Sequence, residues 1–243
     1  MTQSLRSQLL VRRTYNRPLD DEGEVFETFE QTIDRVIGHQ QWLWERAQKR
    51  SLDWAQAEEL DELRQLMLDR KVLMSGRTLW LGGTDVAKRR EASQFNCSFT
   101  NVETVYDVVD VLWLLMQGCG VGFRPIVGQL TGFQNPINEI EVIRSTRDKK
   151  DGQQDNSESF DPDTGTWTIT IGDSAEAWSK SIGKLVAHKF PARKLVLDFS
   201  QIRPAGERLR GYGWISSGDE SIAKAYFRSE ERRVGKECRS WWS

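Results

Sequence analysis

The sequence has few cysteines and no excess of charge of either sign. Its three cysteines in 243 residues are too few and too widely spaced for a disulfide scaffold or a zinc site. The 34 Lys and Arg side chains nearly balance 36 Asp and Glu, so no general basic field favours nucleic-acid binding. No apolar run approaches the roughly 18 residues of a membrane span, and residues 1–20 lack the apolar centre of a secretory signal. These absences predict a cytoplasmic protein without a membrane or nucleic-acid partner.

The remaining composition is that of a globular protein. Hydrophobic residues make up 38% of the chain and aromatic residues 10%, which excludes a chain that is disordered throughout. The length allows one large domain or two small ones. Apolar spacing predicts amphipathic helices over residues 25–49, as one helix or as two with a break near Gly38, and over residues 54–70. His39 is predicted to be a surface residue rather than a ligand.

After residue 70, strand and helix signals alternate, which favours an α/β fold. Thr104 is a predicted N-cap for an apolar, buried helix that ends at Gly118, and Ser174 is one for a second helix over 175–188. The polar stretch 148–163 is predicted to be a loop that faces solvent. Alternating side chains predict strands over 95–99, 139–145, 166–171 and 194–199.

Two short stretches contain residues suited to chemistry or ligand binding, and each also has a plainer interpretation. Cys97 is either a small packing residue or, with a second thiol whose Cα lies roughly 4.4–6.8 Å away, a redox residue. Gly118, Gly120 and Gly122 either let the backbone approach a ligand or simply form a tight crossing between a helix and a strand.

Two other stretches can hold an anion. The Gly-containing turns at 75–77 and 82–83 expose backbone N–H groups, although simple loops would also account for them. The segment 11–18, VRRTYNRP, offers three planar guanidinium groups that suit phosphate. The alternative for this segment is a solvated basic lead-in.

Taken in order, these stretches resemble one protein family. SGRTLWLGGTD (75–85), FNCSF (95–99) and LMQGCGVGF (115–123) are similar to segments of the large subunit of ribonucleotide reductases. The arm VRRTYNRP and the segment 194–218, which contains DFSQIRPAG, add to the likeness. The monomeric, adenosylcobalamin-dependent class is the most similar, and the resemblance spans residues 11–218.

The resemblance implies a helical N-terminal region followed by the first part of a ten-stranded α/β barrel. In that family a ribonucleotide loses its 2′-hydroxyl by thiyl-radical chemistry, and two cysteines supply two electrons. Cys97 matches the first cysteine of this reducing pair, whereas Cys119 is given no redox role. The positions implied to face the substrate are Ser75, Gly76, Asn96, Gly118, Gly120 and Gly122.

The resemblance also implies the partners. They are adenosylcobalamin as cofactor, a ribonucleoside di- or triphosphate as substrate, a deoxynucleoside triphosphate as effector and a thioredoxin-type reductant, with a monomeric full-length enzyme and no metal site. An insertion at about residues 124–190 is expected to bind the effector. Its phosphate candidates are Arg144, Arg147, Lys149 and Lys150, and the alternative is a solvated charged loop.

Two departures from the family pattern complete the prediction. No Asn-x-Cys-x-Glu loop is present, so we expect an N-terminal fragment that lacks the radical cysteine and the partner of Cys97 and is inactive by itself. Residues 229–243, with Cys238, Trp241 and Trp242, resemble translated sequencing adapter and are expected to be non-native. The predicted regions are therefore 1–70, 71–228 and this tail. The alternative function is a non-catalytic nucleotide-binding module, and a glycyl-radical enzyme is disfavoured.

Overall fold

The computed structural model describes residues 4–20, 22–133, 137, 139–145, 152–209 and 211–233, the last seven by their backbone only. The chain forms two compact units. Unit 1 comprises Met1–Asn96 and Arg210–Trp214, and unit 2 comprises Cys97–Leu209 and Ile215–Ser243. Cys238, Trp241 and Trp242 lie outside the described residues.

Unit 1 is helical. Thr28 and Asp53 each form a capping box at the start of a helix. The side chain of the cap accepts a hydrogen bond from the backbone N–H of a glutamine three residues later, and the side chain of that glutamine accepts one from the backbone N–H of the cap. Both long helices predicted from apolar spacing are confirmed, and the first runs through Gly38 without a break. The helices are α1 Leu5–Thr14, α2 Phe29–Gln48, α3 Trp54–Leu68, α4 Gly76–Leu81 and α5 Asp85–Arg89, followed by a 3-10 turn over Glu91–Gln94.

The surface position predicted for His39 is wrong. Its side chain is 3% exposed, because it continues the buried stripe of α2 that contains Ile33 and Val36. The imidazole stacks on Trp42 with ring centroids 5.6 Å apart. Burial, and then the positive charge of Lys88, lower the pKa of His39 below its ordinary value. The residue therefore belongs to the packing of unit 1.

Unit 2 contains two separate sheets. Strands β1 Cys97–Val102 and β2 Gly120–Pro125 pair in parallel and are connected by helix α6 Val105–Met116. The second sheet has the order β3-β6-β5-β4 and is parallel except for the β4–β5 hairpin. Its strands are β3 Glu139–Ile143, β4 Ser157–Asp161, β5 Thr166–Thr170 and β6 Lys194–Asp198, and its helices are α7 Ala175–Ala187 and α8 Glu220–Arg233.

Most element predictions for unit 2 are confirmed, and two are corrected. Strand β4 occupies part of the stretch 148–163 that was predicted to be a loop, because its polar residues pair with β5 while Phe160 stacks on Phe190 at 5.0 Å. Helix α6 begins at the predicted cap and ends before Gly118, but it is not buried all round. Tyr106 is 79% exposed, on the side of α6 that faces away from its main packing partners β1, β2 and α7.

The core of unit 2 lies between the larger sheet and its helices. Trp167 and Ile169 of β5 and, in register with them, Leu195 and Leu197 of β6 point into it. Val196 between them is buried on the opposite face, as expected for a central strand that is covered on both sides. The side chain of Tyr226 on α8 is completely buried and bonds the Ser181 hydroxyl of α7. The largest fully buried side chains here are Trp167, Ile169, Ile171, Leu185, Leu195, Leu197, Phe199, Ile202 and Tyr226.

Two helical glycines lead to opposite predictions. A Cβ on Gly183 in α7 would lie 2.3 Å from Cγ2 of Val109, whereas a Cβ on Gly38 in α2 meets nothing within 4 Å. Gly183→Ala should therefore destabilise the protein by about 2 kcal/mol through overpacking. Gly38→Ala should stabilise it by about 0.5–1 kcal/mol through helix propensity. Urea unfolding of both variants checks the pair, and equal effects would contradict the close approach of α6 and α7.

Candidate functional site

The thiol of Cys97 lies on an open face of the β1–β2 pair. Cys97 is exposed, and so are Phe99 and Asn101 at alternate positions of β1. In the parallel register Cys97 lies opposite Gly120 and Phe99 lies opposite Gly122. Residues in register point to the same side of a sheet, so this face presents a thiol and an aromatic ring beside two positions without side chains.

The three glycines of the loop differ in what they require. Gly118 has φ +84, the left-handed conformation that commonly ends a helix, and this explains its glycine without a ligand. Gly122 has no such conformational need. A Cβ there would lie 3.0 Å from Cδ2 of Phe99, a contact that the exposed Phe99 ring can relieve by a small shift. The backbone conformation therefore does not require glycine at position 122, and the missing side chain leaves room for a ligand to approach the backbone closely.

Cys119 is separated from Cys97 by the geometry of the strands. It precedes Gly120, so its side chain points to the face opposite that of Cys97. The side chain is 2% exposed, and its thiol donates to the carbonyl of Gly120 at 3.7 Å. This arrangement agrees with a packing role for Cys119.

The turn expected at Ser75-Gly76-Arg77 is instead the start of helix α4. Ser75 is its N-cap, and its hydroxyl accepts from the backbone N–H of Thr78 at 3.3 Å. Gly76 lies in the first turn, where a Cβ would rest 3.4 Å from the Tyr15 ring, an ordinary contact. Asn96 is exposed, and its side-chain oxygen accepts from Nε of Arg77 at 3.3 Å.

A cavity of about 470 Å³ lies within unit 1. The arm 11–18, for which the sequence leaves open a solvated lead-in or a phosphate-facing segment, contributes Arg13, Thr14 and Tyr15 to it, and α1 runs through the start of that arm. The rings of Trp80 and Trp214 are 5.0 Å apart. No local pattern predicts this contact, because the two residues lie 134 positions apart in the sequence. The lining residues are Arg13, Thr14, Tyr15, Gly76, Arg77, Trp80, Gly213 and Trp214.

A buried ion pair supports the elements around this cavity. The guanidinium of Arg35 donates to both carboxylate oxygens of Glu27, at 2.7 and 3.0 Å, and to the carbonyl of Leu79 at 3.0 Å. Burial would raise the pKa of Glu27. The hydrogen bonds from Arg35, from the backbone N–H of Arg17 and from Thr32 outweigh burial and lower this pKa. Glu27 is therefore charged and compensated in the folded protein.

Among the effector candidates, only Arg144 lies within the described residues. Its guanidinium makes two hydrogen bonds to the carboxylate of Asp219, one of them 3.1 Å long, and this partner raises the pKa of Arg144. A phosphate ligand would have to share Arg144 with Asp219 or displace it. Arg147, Lys149 and Lys150 lie outside the described residues.

The predicted site residues thus fall into two sets. Unit 2 brings Cys97 together with Gly120 and Gly122 on one face. Unit 1 contains Ser75 and Gly76 at the start of α4, and Asn96, which contacts the next residue of that helix through its bond to Arg77. In the described part of the chain no group of three His, Cys, Asp or Glu side chains is arranged to hold a metal ion.

Comparisons with known proteins identify relatives of both parts of the chain. The model of the ribonucleotide reductase alpha domain matches residues 3–84, and that of the insertion domain of B12-dependent ribonucleotide reductases matches residues 141–228. Adenosylcobalamin-dependent ribonucleoside-triphosphate reductases of Lactobacillus helveticus and Lactobacillus leichmannii are 27% and 28% identical over 89% and 85% of this chain. A putative enzyme of the same name from Mycobacterium phage D29 is 29% identical over 89%.

The fold has a counterpart among solved structures. A B12-dependent (class II) ribonucleotide reductase superimposes with a TM-score of 0.74 and 22% identity over 94% of this chain and 37% of that one. The α/β fold is thus confirmed as part of the reductase barrel. The chain spans about a third of the length of the curated relatives it matches. Within the described residues no helix is both long and apolar enough to cross a membrane.

Proposed function

The chain belongs to the B12-dependent ribonucleotide reductases, and on that premise we propose that it forms the nucleotide-facing first part of an enzyme that reduces ribonucleotides to 2′-deoxyribonucleotides for DNA synthesis. The observation that supports this most is the open face of β1 and β2, where exposed Cys97 lies opposite Gly120 and beside Gly122. A thiol next to two glycines, which leave the backbone uncovered, suits a substrate that must lie against the backbone.

The proposed reaction balances with two thiols. The substrate loses its 2′-hydroxyl as water and gains a C–H bond, and two cysteine thiols are oxidised to one disulfide, which supplies two electrons and two protons. Cys97 is one of these thiols. Cys119 is not its partner, because its buried side chain points to the opposite face of the strand pair. A thioredoxin-type dithiol then reduces the disulfide by exchange.

The cofactor of this class is adenosylcobalamin. When bound, it supplies the radical equivalent that starts the reaction. The cavity in unit 1 does not fit it, because 470 Å³ is a volume for a ligand of nucleotide size and a corrin is much larger. We therefore assign no residue of this chain to the cofactor and derive no step through it.

The remaining residues receive roles in binding. In unit 1, Ser75, Gly76 and Asn96 are assigned to substrate binding. In unit 2, Gly120 and Gly122 are assigned to contact with the nucleotide, and Gly118 fixes the loop that contains them. The insertion that includes Arg144 holds a deoxynucleoside triphosphate effector. We propose a monomeric full-length enzyme in the cytoplasm, where thiols are kept reduced. A non-catalytic nucleotide-binding module is not favoured, since the relatives that the chain matches are named as reductases.

A hybrid enzyme tests this function. Residues 3–228, from the start of the first family-model match to the end of the second, replace the corresponding stretch of the Lactobacillus leichmannii reductase. Formation of deoxyribonucleoside triphosphate is measured with adenosylcobalamin and a dithiol reductant. We expect the hybrid to make product and to require both additions. A hybrid that melts cooperatively like its parent but makes no product would contradict the proposed function.

A further inference from the structure

Helix α4, which begins beside the residues assigned to the substrate in unit 1, is too short to hold its own position. It has six residues, whereas isolated helices of fewer than about 12 residues are marginal in water. Ser75 is its N-cap and Gly76 its first residue, and the carbonyl groups at its other end need partners from elsewhere. The placement of Ser75 and Gly76 therefore depends on the contacts that α4 makes within unit 1.

The guanidinium of Arg35 on α2 supplies partners for the end of α4. It donates to the carbonyl of Leu79 at 3.0 Å and to that of Gly82, the C-cap of the helix. A positive group at the C-terminal end of a helix also suits the helix dipole. A Cβ on Gly83 would lie 2.6 Å from the backbone oxygen of Arg35, so the chain that leaves α4 lies against the same residue. Arg35 thus fixes the end of α4 on α2.

The same guanidinium also contacts the N-terminal arm 11–18. Its Nη2 atom, which binds Leu79, donates to the carbonyl of Tyr15 at 3.4 Å as well. The ring of Tyr15 lies beside the first turn of α4, where a Cβ on Gly76 would be 3.4 Å from it. Arg35 therefore joins the backbone of Tyr15 to the last turn of α4, and the separation between Gly76 and the Tyr15 ring depends on this one planar group.

Glu27 holds the guanidinium in that orientation. Its carboxylate oxygens accept from Nε and Nη2 of Arg35 at 2.7 and 3.0 Å, the two-bond geometry that suits the planar group of arginine. The carboxylate also accepts from the backbone N–H of Arg17 at 3.0 Å and from the Thr32 hydroxyl at 2.9 Å. Both side chains of the pair are largely shielded from water, so the guanidinium has little freedom to turn.

We propose that Arg35 is a positioning residue for the ribonucleotide: it holds the arm and α4 in the arrangement that places Gly76 for substrate binding. The inference rests on the proposed function, which assigns Ser75 and Gly76 to the substrate. Arg35 acts through these residues, since it is not among those that line the cavity. A lysine at this position keeps a positive charge beside Glu27, but an ammonium group lacks the planar donors that reach Glu27, Tyr15 and α4 together.

Steady-state kinetics of the hybrid reductase with Arg35→Lys tests the inference. We expect KM for the ribonucleotide to rise about tenfold or more and kcat to stay within about threefold, because binding is weakened while the reacting groups are unchanged. Arg64→Lys is the matched control. Arg64 makes similar bonds, to Asp34 at 2.6 Å and Glu30 at 3.0 Å, but they join α3 to α2, so KM should not change. Equal KM values of the two variants would overturn the inference.

Tyr15→Leu keeps the inference testable if Arg35→Lys fails to fold. This change removes the ring beside Gly76 and leaves the carbonyl that Arg35 binds, so it should also raise KM. The two effects should not add in the double variant, because both act on the same contact. An unchanged KM in Tyr15→Leu, or full additivity in the double variant, would overturn the inference.

Binding without turnover separates this inference from the proposed function. Calorimetric titration of the hybrid with CTP, without adenosylcobalamin, gives the dissociation constant directly. We expect this constant to be about tenfold or more larger for Arg35→Lys than for Arg64→Lys. If the unchanged hybrid shows this dependence on Arg35 but makes no product, only the catalytic proposal fails. If it makes product and the two variants bind CTP equally, only the inference fails.

Discussion

Replacing Cys97 with serine is expected to abolish deoxyribonucleotide formation by the hybrid reductase, with a loss on the order of 10³-fold or more in steady-state turnover. A serine hydroxyl cannot be oxidised to a disulfide, so the two electrons that the reaction needs are not available from this position. Because Cys97 is exposed, serine should fit without a change in the free energy of unfolding. Product formation is measured over many turnovers with a dithiol reductant.

Cys119→Ala provides the control for that experiment. The side chain is buried on the other face of the strand pair, so its removal should cost some stability but leave turnover within about twofold. Equal losses of turnover in the two variants would mean that exposure and strand register do not distinguish the two thiols, and the assignment of Cys97 would be wrong.

Replacing Glu27 with glutamine is expected to destabilise the protein by about 3 kcal/mol, because it leaves the buried Arg35 without its counter-charge. The side chains of Glu27 and Arg35 are 7% and 14% exposed, and Arg35 also joins α2 to the carbonyl of Gly82. Equilibrium unfolding in urea measures the loss. Glu58→Gln, at an exposed position of α3, should stay within about 0.5 kcal/mol of the unchanged protein.

The same pair makes stability depend on pH. The folded-state pKa of Glu27 is lowered from 4.5, so its contribution is fully present above pH 4.5 and is lost as the pH falls through the folded-state pKa. Glu27→Gln should remove this part of the acid sensitivity. If the variant and the unchanged protein lose stability equally between pH 5 and 3, the carboxylate is not the compensated group that the structure indicates.

Local patterns predicted the elements that have a clear period or cap. The alternation of residues 166–171 and 194–199 marked β5 and β6, and the Thr104 cap with Gly118 marked both ends of α6. Local patterns did not predict strand β4, because most of its residues are polar and its pairing with another strand is not visible in the sequence. Strand β4 has Phe160 as its one large apolar residue, and its place in the sheet follows from pairing with β5.

Only the site residues that lie within the sequence motifs could be predicted. The order of the motifs pointed to Cys97 and the glycine loop, and the strand register then placed Gly120 opposite the thiol. The wall formed by Gly213 and Trp214 was missed, because it depends on bonds from Arg17 to residues almost 200 positions away. Contacts at that separation leave no local period or spacing in the sequence.

Disulfide trapping in a single turnover tests the central claim most directly. The reduced hybrid reductase receives adenosylcobalamin and a ribonucleoside triphosphate without added reductant, and the thiols are then alkylated and mapped by peptide mass spectrometry. We predict one disulfide that includes Cys97 for each deoxyribonucleotide formed, with Cys119 still a free thiol. Product formed in stoichiometric amount while Cys97 remains fully alkylatable would contradict its role as a reducing cysteine.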